Sequence, residues 1–144
     1  MDVHIMGIIE AVEFIPIRLT YALRIANSIN DFTGRFPLHE SPFYAAIRTY
    51  VFDDVEQLFD RGRLMTGEIA HVMLDDFVSE RDGCGTLLVH CTRGRNRSPA
   101  VALAFNEIFS LGHDPKYLQG DRHDMEINWY VYRTLMAEAK KMNL

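Results

Sequence analysis

The chain has 144 residues, 48% of them hydrophobic and 24% charged, which excludes a disordered segment and predicts a single domain over 1–144. No apolar run approaches the roughly 18 residues of a membrane span, and the acidic start, Met1-Asp2, with no long apolar stretch behind it, predicts no secretory leader. A net charge of -5 excludes a generic nucleic-acid binder, and two cysteines cannot make a disulfide framework, so a reduced, cytoplasmic protein without membrane contact is expected.

In chain order, Val3 to Ile9 reads as a short buried strand and Tyr21 to Ala26 as a second. The stretch 27–42, with Asn, Asp, Gly, Ser and two prolines, reads as a long connection. Tyr44 to Phe52 is β-branched and aromatic and predicts a third strand. Between Met65 and Glu80, Ile69, Val72, Met73 and Phe77 recur at helical spacing. Gly83-Cys84-Gly85 breaks the chain before Thr86 to His90, an apolar strand expected at the centre of a sheet. Ser98 to Leu111 predicts a helix with Pro99 in its first turn and Gly112 at its end. From Asp124 onward, Ile127, Val131, Leu135, Ala139 and Met142 make one apolar stripe, with Lys140 and Lys141 near the helix end. Strands alternating with helices predict an α/β sandwich, a compact and mostly parallel central sheet flanked by helices.

The chemistry lies in His90-Cys91-Thr92-Arg93-Gly94-Arg95-Asn96-Arg97-Ser98, between the buried strand and the helix. A loop there gathers backbone N–H groups in front of a helix N-terminus, which makes an anion site. Gly94 lets the backbone bend and approach a ligand. Cys91 opens the loop and Arg97 closes it, so both reach the same oxygens. Arg97 can hold a phosphate in a two-pronged fork. The positive field favours the Cys91 thiolate, a nucleophile, and Ser98 can donate a hydrogen bond to it. A solvated turn beside a small buried cysteine does not account for the coincidence of strand, glycine, arginine and helix.

The pattern His-Cys-x2-Gly-x2-Arg-Ser resembles the signature loop of the cysteine-dependent protein tyrosine and dual-specificity phosphatases. A looser likeness in element order runs from Tyr44 to Met142, and implies a phosphatase-like sandwich. The resemblance implies Cys91 as nucleophile and Arg97 as phosphate ligand, with His90 and Ser98 shaping the loop. It also implies that the amides of Thr92, Arg93, Gly94, Arg95, Asn96 and Arg97 cradle the phosphoryl oxygens, with no metal or other cofactor. The family uses an upstream Asp as general acid, and Asp53 and Asp54 both fit. Strand alternation does not settle which of them faces the site, though Asp54 shares the parity of Tyr50 and Phe52 and is preferred. The implied activity is hydrolysis of phosphomonoesters through a phosphocysteine, on phosphotyrosine or mixed phosphoprotein substrates.

Arg93 and Arg95 make the loop unusually basic. In this it is similar to plant and fungal atypical dual-specificity phosphatases acting on inositol pyrophosphates. Thr92 and Asn96 resemble the RNA 5′-triphosphatases of metazoan capping enzymes, from which Pro99 departs. A small polyphosphate is therefore the alternative substrate, unless these arginines turn to solvent or to local acids. A rhodanese-like sulfurtransferase and a non-catalytic phosphate-binding module are the further alternatives.

Six histidines include His113-Asp114 and His123-Asp124, which lack metal-ligand spacing and lie where Asp caps helices. His71 reads as a surface or satisfied core residue. Cys84 stands about 20 Å from Cys91 along an extended strand, beyond the about 7 Å that a disulfide spans. Trp129, Tyr130 and Tyr132 are expected mostly in the core. The stretches 27–42 and 112–123 are expected to wall the pocket.

Overall fold

The computed structural model describes residues 1–27, 35–57 and 61–144. Strands β1 (Asp2–Met6), β2 (Thr20–Ala26), β3 (Tyr44–Val51) and β4 (Thr86–His90) form one sheet in the order β1-β4-β2-β3, with every neighbouring pair parallel. The interior strands β2 and β4 are buried along their whole length. Helices on both faces cover them, which is why they read as mainly apolar runs. Arg24 alone carries a charge in β2, and it is 5% exposed.

The sequence reading continues the first strand to Ile9, but the strand stops at Met6 and helix α1 runs from Ile8 to Glu13. Gly7 divides the two, packed so closely on the backbone of Arg93 that a Cβ there would lie 3.1 Å from its carbonyl carbon. Helix α2 (Gly67–Glu80) starts at the Thr66 cap, whose hydroxyl accepts from Ile69 N–H at 3.2 Å. Its inner face is Ala70, Met73, Leu74 and Phe77, while Val72, assigned to the stripe by spacing, is 49% exposed. Helix α3 (Arg97–Ile108) keeps Pro99 in its first turn and ends before Ser110, which takes a left-handed φ of 51°. Short helix α4 (Pro115–Gln119) is absent from the sequence reading, and Asp114 caps it. Helix α5 (Trp129–Lys141) begins at the Asn128 cap and buries Val131, Leu135 and Ala139.

One sheet face packs on α2, α3 and α5 through Tyr21, Phe77, Phe105 and their neighbours; the other is closed by α1 around Ala11, Ala22 and Leu88. Four parallel strands therefore end on one side, and the 91–96 loop leaves the end of interior strand β4 to enter α3. Residues 28–34 of the 27–42 connection, expected to wall the pocket, lie outside the described residues.

Candidate active site

The loop from Cys91 to Asn96 is held from outside by its carbonyls. Thr92 O accepts from Ile8 N–H at 3.1 Å, Asn96 O from Asn128 N–H at 3.1 Å, and Gly94 O from Arg122 Nε at 2.8 Å. With these carbonyls turned out, the Gly94 amide turns inward, onto Cys91 Sγ. Gly94 makes this possible. Its φ is +72°, and a Cβ there would sit 2.5 Å from Gly7 N and 2.6 Å from Met6 C.

Cys91 Sγ lies under this ring, 2% exposed. Gly94 N–H donates to it at 3.2 Å, and Ser98 Oγ stands 3.1 Å away. The Gly94 N–H is a donor to the sulfur, the Ser98 hydroxyl can donate or accept there, and the N-terminus of α3 adds its positive field. Arg97 is fixed by Nη1, which donates to Asn27 Oδ1 at 2.6 Å and to Phe52 O at 2.7 Å. Nη2 makes a long 3.4 Å contact to Thr92 Oγ1. Nε and Nη2 form an edge that can fork onto an oxyanion. Asn27, Asp54, Cys91, Thr92, Arg93, Asn96 and Arg97 line a cavity of about 200 Å³. A wider groove of about 660 Å³ lies between the start of α2 and the end of α5 and holds no cysteine.

The two candidate acids separate. Asp54 reaches the cavity wall, where its Oδ1 accepts from Asn128 Nδ2 at 2.9 Å. Asp53 faces its own turn. Its carboxylate accepts from Arg63 N–H, and its N–H donates to Arg63 O at 2.7 Å. Gly62, at φ +116°, packs against the Asp53 side chain. Of the pair, only Asp54 stands with Cys91.

His90 is fully buried beside Cys91. Its Nε2 accepts from Arg24 Nε at 2.8 Å, so the ring proton is on Nδ1, facing Cys91 O at 3.3 Å. Burial first, and the Arg24 charge second, push the imidazole down to about 4. Burial also lowers the Arg24 guanidinium, to about 10, so the guanidinium remains charged at neutral pH.

The three other arginines have different fates. Arg93 is exposed on the cavity rim. Arg95 is turned away onto Glu126 at 2.7 Å and Asp121 at 3.3 Å. That pairing, with the His123 N–H, holds the Glu126 carboxyl down at about 2. Arg122 braces the loop from behind through Gly94 O. The 112–123 stretch thus serves as a brace.

Sequence reading misses Arg24, Asn27, Arg122 and Asn128. A charge inside an apolar strand marks Arg24, and an Asn ahead of a helical stripe marks Asn128, but neither signal names its partner. The remaining sequence candidates lie elsewhere. Cys84 is a free thiol raised by burial. His71 is exposed and pairs with Glu138 at 3.0 Å. His113 meets Met1 O at 2.8 Å, and His123 donates its N–H to Glu126 at 3.1 Å. Trp129, Tyr130 and Tyr132 are half-buried against the core, and Tyr130 Oη donates to Met65 O at 3.1 Å. No protein-family model matches the chain, and no curated protein matches it.

Proposed function

We propose that this chain is a phosphatase that hydrolyses phosphomonoesters through a phosphocysteine at Cys91, on phosphotyrosine or mixed phosphoprotein substrates. The observation that carries the reading is the sulfur itself. It is buried at the floor of a small cavity, with Gly94 N–H at 3.2 Å and Ser98 Oγ at 3.1 Å, and the Arg97 fork and Asp54 complete the wall.

The thiolate attacks phosphorus as the bond to the leaving oxygen breaks. Asp54 protonates that oxygen, and the loop amides with Arg97 hold the three equatorial oxygens. Water then attacks the phosphocysteine. The S–P bond breaks, the Asp54 carboxylate takes the water proton, and Ser98 steadies the departing thiolate. The products are the free alcohol and inorganic phosphate. No step calls on a metal.

A polyphosphate remains the second reading through Arg93, which is exposed at the rim. The engagement of Arg95 by Glu126 and Asp121 removes the other guanidinium from that role.

The test is phosphate release with chelator present, comparing the native chain with Cys91→Ser on an aryl phosphate, a phosphotyrosine peptide, an inositol pyrophosphate and a 5′-triphosphate RNA. Release that falls at least about a thousandfold in C91S is expected. The rank order of substrates decides between protein and polyphosphate. Undiminished turnover by C91S would sink the mechanism. Silence on every phosphate, with thiosulfate consumed, would point to sulfur transfer.

A further inference from the structure

We propose that Asn128 is the positioning residue of the general acid, fixing which oxygen of Asp54 carries the proton; the inference rests on the phosphatase reading of the site. Asn128 is 2% exposed and stands ahead of α5. Its two amide atoms have different partners. Oδ1 accepts from Val131 N–H at 3.1 Å, which assigns the oxygen to the helix side. Nδ2 therefore faces Asp54 Oδ1 at 2.9 Å and Val55 O at 3.3 Å, both acceptors. Through its backbone, Asn128 N–H also holds Asn96 O at 3.1 Å, next to Arg97.

Capping a helix explains Oδ1 and nothing more, because Ser, Thr or Asp would do the same. The Nδ2 group is surplus to the cap, and it is aimed at the acid. A donor on Oδ1 leaves Oδ2 as the place for a transferable proton. It also stops the carboxyl from rotating. Arg97 holds the other end of the same segment through Phe52 O at 2.7 Å. Residues 52–55 are thus tied to the phosphate loop at both ends before any substrate arrives, and the acid is preorganised.

Leaving-group dependence tests the proposal. An ester of an acidic phenol leaves without help, whereas phenyl phosphate needs the proton. Asn128→Ser keeps a capping hydroxyl but is too short to reach Asp54. We expect kcat on phenyl phosphate to fall about 10- to 100-fold, and on difluoromethylumbelliferyl phosphate less than about threefold. Asp54→Asn should give the same signature more strongly, and the KM for either ester should hardly move. Equal losses on both esters in N128S, or none on either, overturn the role of Asn128 if D54N keeps its signature. If D54N shows no leaving-group dependence, the acid assignment falls and this inference with it. Should N128S lose its thermal transition, Asn128→Thr, which also caps and is also too short to reach Asp54, makes the same comparison and is expected to show the same selective loss.

Discussion

Burial and the neighbouring Arg24 guanidinium hold the His90 imidazole near 4, against an ordinary 6.5. In the unfolded chain the ring takes a proton as pH falls through 6.5, while the folded ring stays neutral until about 4. Its contribution to stability is therefore intact above the unfolded value and declines as acid is added. The slope is about 1.4 kcal/mol per pH unit, and the loss is complete, at roughly 3 kcal/mol, near the folded value. His90→Gln keeps an acceptor for Arg24 and removes the titration. Urea denaturation at about pH 7.5 and about pH 5 should show the native chain losing about 2 kcal/mol more than H90Q. Parallel losses would mean that the folded ring takes up its proton at the same pH as the unfolded one. Cys91 and Arg97 were legible at this scale because loop geometry binds them through local spacing. Arg24, Asn27 and Asn128 were not. Their roles come from His90, Arg97 and Asp54, brought near by the sheet and by α5, and no local pattern encodes such a meeting.

The 91–96 loop meets the β1–α1 junction through two glycines packed back to back. Gly94→Ala would push a methyl onto Gly7 N and Met6 C, both backbone atoms that cannot step aside, at a φ of +72°. A stability loss of at least about 2 kcal/mol is expected, with activity abolished. Gly112→Ala is the control. It has a φ of +88° but nothing within 4 Å, so about 1 kcal/mol of strain and unchanged turnover are expected. Equal Tm shifts in the two variants would refute the packing argument. The same junction explains where the sequence reading failed. A short apolar run cannot distinguish a strand from a helix, so Ile8 and Ile9 were joined to β1 across Gly7, and α1 was missed. Helix α4 was hidden because its five residues are too few to show a period. The interior strands and α5 were legible, since burial on both faces or on one stripe leaves a clear apolar pattern.

The whole molecule sets its candidate site at the carboxyl ends of a parallel sheet, where loops from different strands converge. The arginines of the site oppose the chain's net charge of -5, so any attraction for anions there is local. Inorganic phosphate at about one hundred times its Kd should stabilise the fold by about 2.7 kcal/mol, a rise in Tm of roughly 8 °C. Cys91→Ser should keep that rise, because amides and guanidinium make the contacts. Arg97→Met should remove most of it. A rise unaltered in R97M would place the anion elsewhere on the protein. Among the described residues no helix is long and apolar enough to cross a membrane.

The outward braces of the loop come from three distant places: Ile8 just past β1, Arg122 beyond α4, and Asn128 at the head of α5. Chain synthesis delivers them in that order. When the ribosome has released β4, the loop and α3, Cys91 and Arg97 exist, but two of the three braces do not. Cys91 is then an ordinary cysteine on an unshaped loop. The geometry around the sulfur arrives last, with the final helix, so a stalled or truncated chain would carry the motif without the shaped site.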